Sequence, residues 1–166
     1  MKSKTIFYFA AILIAIILWY FLKPAPPKEE VKEQPIALMK HSPAFNKNVT
    51  LIVDNYLSLK DAFVEADTAL IKQKATSLIQ SMQSLDTTEL KKDTSSVFET
   101  IMAAANDVTS NAQSILQQKD ITEMRRDFSS LTEMMYPAFF NAIGYEGATL
   151  YLQNCPMAFN DTEPAN

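Results

Sequence analysis

The chain has 166 residues and a formal net charge of −4, with 15 Lys and Arg against 19 Asp and Glu. No segment is strongly basic, and phosphate binding needs clustered Lys and Arg, which argues against nucleic acid as a partner. The single cysteine, Cys155, cannot form an intrachain disulfide; in an oxidising compartment it must be buried, metal-bound, modified or paired with another molecule.

The first element is apolar. Residues 5–22 (TIFYFAAILIAIILWYFL) carry no charge. As a helix they span about 27 Å, enough for a bilayer core. Phe7, Tyr8 and Phe9 at one end and Trp19, Tyr20 and Phe21 at the other match interfacial belts. No small-x-small cleavage site follows, and no cysteine is there to lipidate, so an uncleaved signal anchor is favoured over a cleaved signal peptide. Lys2 and Lys4 precede the run while Lys23, Lys28 and Lys32 follow it, so the positive-inside rule does not orient it. A short N-terminal tail before a larger C-terminal domain favours a domain outside the membrane.

Residues 23–43 read as a linker, with Pro24, Pro26, Pro27, Pro35 and Pro43 among mixed Lys and Glu. Such a segment buries too little apolar surface to offset its ordering entropy. About 20 flexible residues have a root-mean-square span of about 25 Å, and proline stiffens them further. The remaining stretch, 44–166, is long enough for one domain with one core.

That domain reads as all-α. Neither proline nor glycine occurs between residues 44 and 136. Four apolar series advance by steps of three and four. The first is Val49, Ile52, Tyr56, Leu59, Phe63 and Ala66, and the second Ile71, Ala75, Leu78, Met82 and Leu85. Val97, Ile101, Ala104, Val108, Ala112 and Ile115 form the third, and Ile121, Met124, Phe128, Leu131, Met135 and Ala138 the fourth. Each is the stripe of an amphipathic helix facing a core. Asp67 is placed to cap the second helix, and DTTE (86–89) and DITE (120–123) read as capping boxes opening the third and fourth. Gly144 supplies a left-handed stop, and Pro137 predicts a kink shortly before it. Short connections make this an up-down four-helix bundle. After Gly147, TLYL (149–152) reads as a short strand or an extended segment laid on the bundle.

The chemistry concentrates near the end. Cys155 and Met157 flank Pro156, which disfavours helix for the residue before it, so both sulfurs turn toward one side of an extended segment. Thiolate and thioether are soft donors that select Cu(I) or Ag(I), although buried Cys and Met are also common core fillers. The one histidine, His41, sits just before the first helix, where a solvated linker residue is the ordinary reading and an imidazole ligand the alternative. Met82, Met124 and Met135 fall on apolar stripes and read as core, while Met134 points elsewhere. There is no Glu-x-x-His pair for a di-iron site, no second histidine for a nucleophile relay and no glycine-rich phosphate loop, so no enzyme is expected.

Four runs carry a resemblance: HSPAFN (41–46), NYLSLKDAFVEAD (55–67), MRRDFSSLTEMM (124–135) and YLQNCPMAFN (151–160). Together they resemble a bacterial family of unknown function. Its members are exported or membrane-tethered helical domains, found alone or fused to periplasmic adaptor subunits of copper/silver efflux pumps of the resistance-nodulation-division type. The resemblance covers roughly residue 42 onward, and its specific parts are the YxxLKDA block (56–62) and CPMA (155–158). It implies a periplasmic domain held by a single span in the inner membrane. It also implies a link to heavy-metal handling, with Cys155 and Met157 as ligands, His41 or Met134 as helpers, and an efflux adaptor or other envelope protein as partner.

Two departures stand out. The family usually has His before CPMA, and this chain has Asn154, a poor ligand for a soft ion. The family also continues past the block to a tryptophan and a second cysteine, whereas this sequence stops at Asn166. Either the sequence is truncated or this member keeps half of the site. Two readings therefore stand: a soft-metal-handling accessory domain, and a metal-free interaction module in which the Cys-Pro-Met segment pins the C-terminal stretch onto the core.

Overall fold

The structure, a computed structural model, describes residues 40–153. The apolar stretch 5–22, most of the linker, and Cys155 and Met157 lie outside those residues. The chain divides into two units, Met1–Lys32 and Glu33–Asn166, and every helix described belongs to the second. Among the described residues no helix is long and apolar enough to cross a membrane.

The domain is all-helical among the described residues. Its helices are α1 (Pro43–Glu65), α2 (Thr68–Gln83), the single turn α3 (Thr87–Leu90), α4 (Ser95–Gln117), α5 (Ile121–Glu133) and the short α6 (Phe140–Ile143). A π-helical stretch, Met134–Phe139, joins α5 to α6. Pro43, assigned above to the linker, is the first residue of α1, where its missing N–H costs nothing and its fixed φ suits a helix. Consecutive long helices pack on one another, α1 on α2, α2 on α4 and α4 on α5. Aromatic rings fill the seam between α5 and α1, with Phe128 4.7 Å from Phe63 and 5.7 Å from Tyr56.

The apolar stripes form the core as their spacing predicts. Every member of the second and third series is buried, as are Val49, Ile52, Leu59, Phe63, Met124, Leu131 and Met135. Met82, Met124 and Met135 are therefore core residues, and Met134 is half-buried against the same core. Where polar groups enter the interior they are bonded. Thr132 Oγ1 donates to the Phe128 carbonyl at 3.0 Å, so its hydrogen is committed and Tyr56 must donate its own across the seam, also at 3.0 Å. Burial raises the Tyr56 pKa, against the opposing Thr132 bond and the Lys60 charge. Asp127 ties α5 to α4 by accepting from Ser114 and Gln118 at 2.8 and 2.9 Å.

Three expectations need correction. Ala66 is not core: it is the exposed residue that ends α1 in the left-handed conformation, φ 55°. The box at Asp86 does not open the third long helix. Asp86 caps only α3, and α4 starts afresh from Thr94, whose hydroxyl accepts from Val97 N. The Asp-Thr-Ser-Ser run 93–96 supplies side chains that compete with helical backbone bonds, while buried Leu85 and Leu90 hold the intervening turn against the core. Pro137 does kink the chain as expected, with Tyr136 in an extended conformation (φ −131°, ψ 129°) before a cis Tyr136–Pro137 bond. Beyond the extended Tyr136, Phe139 and Phe140 are buried while Ala138, on the predicted stripe, is exposed. Of the two readings of TLYL, the extended segment is the one observed: residues 149–153 form no strand, Leu150 packs against the core, and Tyr151 and Leu152 are exposed.

Candidate functional site

Three helix ends meet where α1 begins. Ser42 is the N-cap of α1, and its Oγ accepts from Phe45 N at 3.2 Å. A local capping box would place Glu or Gln at the third helical position to accept the cap residue's own N–H, but that position is Phe45. Glu89, distant in sequence, takes the role. Its Oε1 accepts from Ser42 N at 3.0 Å and its Oε2 from Ser42 Oγ at 3.2 Å. Lys92 Nζ lies 3.3 Å from Oε2. The Ser42 N–H, with help from Lys92 and the Ser42 hydroxyl, holds the Glu89 carboxyl below its ordinary pKa against an opposing burial effect.

His41, one residue earlier, reaches the end of α6, the last helix among the described residues. Its ring stacks on Phe45 at 4.2 Å between centroids, and Nε2 lies 3.0 Å from the Ile143 carbonyl. A carbonyl only accepts, so Nε2 carries hydrogen, and in the neutral ring the lone pair sits on Nδ1. Ile143 is the last residue of α6, where carbonyls lack intrahelical partners. Gly144, at φ 62°, turns the chain left-handed as the sequence predicts, and its N–H and that of Tyr145 return to the Asn141 and Phe140 carbonyls. His41 satisfies the Ile143 carbonyl from outside the helix. It is a half-buried bonded residue, not a solvated linker one.

Two open clefts flank this junction. One of about 140 Å³ is lined by Lys40, His41, Glu89, Lys92 and Asp93. The other, of about 80 Å³, is lined by Asn46, Val49, Thr50 and residues 143–147. Both are smaller than the usual pocket of about 300 Å³ or more for an organic ligand. Among the described residues no three His, Cys, Asp or Glu side chains converge on a point that could hold a metal. Of the sequence-predicted site residues, His41 is thus at the junction, Met134 packs half-buried on the core, and Cys155 and Met157 lie outside the described residues. Glu89 was missed, because DTTE reads locally as a self-contained box. The available signal was Phe45, an apolar residue where the box of Ser42 needs an acceptor.

Residues 52–142 match the family described as "protein of unknown function (DUF3347)", more than half of the chain. The chain belongs to this family. The matched span runs from within α1 to α6 and includes Glu89, but stops short of His41, Cys155 and Met157. No curated protein and no solved structure matches the chain.

Proposed function

We propose that this chain is a membrane-tethered, extracytoplasmic accessory domain that handles a soft metal ion, Cu(I) or Ag(I), as cargo for an efflux adaptor or another envelope protein. In this reading residues 5–22 are the anchor, the helices form an up-down four-helix bundle, and Cys155, Met157 and His41 bind the ion. The observation that carries it is the His41 ring. Its Nε2–H is fixed on a backbone carbonyl, the arrangement that orients a histidine to ligate through its other nitrogen. That carbonyl belongs to Ile143, twelve residues before Cys155, a stretch that spans at most about 40 Å and can return the thiol to the imidazole. Two sulfurs and one imidazole form a soft donor set suited to passing a monovalent ion on. With Asn154 in place of a histidine, the ion exchanges readily. The metal assignment and the efflux partner rest on the family resemblance.

The test is a titration of the full chain in detergent with Cu(I), under anaerobic reducing conditions, against a competing chelator. Stoichiometric binding lost in Cys155→Ser and weakened in His41→Ala supports the proposal. Absence of binding in the parent chain rejects it. The second reading, a metal-free interaction module, is favoured by Tyr151 and Leu152, which are 84% and 50% exposed at the C-terminal end of the described chain. It expects loss of partner capture in Tyr151→Ser with no dependence on metal.

A further inference from the structure

The junction is a relay of helix caps supplied in exchange. Glu89, from the single turn α3, completes the N-terminal cap of α1 through both Ser42 bonds. His41, the residue before that cap, completes the C-terminal end of α6 through Ile143. Three elements far apart in sequence are therefore closed by two adjacent residues. The covalent bond between His41 and Ser42 makes the links serial: Glu89 sets the position of Ser42, and Ser42 sets that of His41. The Phe45 ring tightens the middle link, because it stacks on His41 while its own N–H bonds Ser42 Oγ. The bonded residues His41 and Ser42 lie at the edge of the core, half-buried, with buried Phe45 beneath them and the buried α4 stripe apart from them. It can therefore open without unfolding the helices.

We propose that the start of α1, the turn α3 and the end of α6 open and close as one unit, so that whatever displaces residues 41–42 is felt in the segment that follows Gly144. The physical basis is linkage: two sites that bias one element are coupled, and each affects the other equally. The inference does not rest on the metal reading. If that reading holds, an ion on His41 Nδ1 and the docking of the C-terminal end reinforce one another.

Amide hydrogen exchange on the full chain in detergent tests this, with Glu89→Ala as the key variant, since Glu89 makes no bond to α6 in the relay. The Phe45 and Asn46 amides, bonded to Ser42, report on α1, and the Gly144 and Tyr145 amides report on the end of α6. The amides of α4 are the internal control. Glu89→Ala is expected to speed exchange about fivefold or more at both reporter sets, a coupling of ordinary size, while α4 stays protected. Acceleration confined to Phe45 and Asn46, with Gly144 and Tyr145 unchanged, overturns the proposal. Should α4 also lose protection, Glu89→Gln, which keeps one carbonyl acceptor, is read by the same criterion.

Discussion

At the scale of single residues, burial and bonding decide consequences that residue type alone does not. Leu131 is fully buried and Ala138 is exposed, although both lie on one predicted stripe. Leu131→Ala should cost about 2–5 kcal/mol through lost transfer energy and a residual cavity. Ala138→Ser should fall within about 0.5 kcal/mol of the parent. Urea unfolding of the two variants checks the contrast, and a large cost at Ala138 would mean that this residue packs on the core. Glu89 has a pH signature. Its pKa is lowered in the folded state, so its stabilising contribution is complete above the ordinary glutamate value of about 4.3 and fades as pH falls through the lower folded value. Glu89→Gln should therefore lower the thermal midpoint at neutral pH and converge with the parent in acid. An equal gap at both pH values would remove the carboxylate from the explanation.

At the scale of elements, the informative places are the ends. Asp67 and Asp120 cap their helices as predicted, each accepting from two backbone N–H groups. The α1–α2 connection turns left-handed without a glycine, because Ala66 adopts φ 55° there. An L-residue in that region carries a cost of about 1–2 kcal/mol, partly offset because glycine loses more entropy on folding. Ala66→Gly should raise stability by about 0.5–1 kcal/mol in a denaturant titration. A loss instead would show that the left-handed conformation is not the one populated. The stripes were legible because the 3.6 period is local and no breaker interrupts it. The division of the predicted third helix into α3 and α4 was not, because Asp86 and Thr94 are both competent caps and only buried Leu90 shows that the first begins a single turn.

For the molecule as a whole, the decisive question is attachment. The uncharged residues 5–22 lead to the expectation that the full chain stays with membranes through an alkaline wash, while a chain lacking residues 1–22 is released. Release of both would reject the anchor. The helical domain itself has one contiguous core, from Phe45 at the start of α1 to Ile143 at the end of α6. Among the described residues, the start of α1 and the end of α6 are joined at the edge of that core by the His41 side chain.

The sequence by itself determined the helical class, four apolar stripes, the caps at Asp67 and Asp120, the stop at Gly144 and the choice of Cys155, Met157 and His41 as candidates. These depend on neighbours within about two turns, where period and capping chemistry operate. Only the tertiary structure decided that Ala138 faces solvent, that Glu89 serves Ser42 rather than its own helix, and that His41 caps α6. A free N–H or carbonyl at a helix end takes whichever partner the packed chain brings within about 3 Å, and that partner can come from anywhere along it.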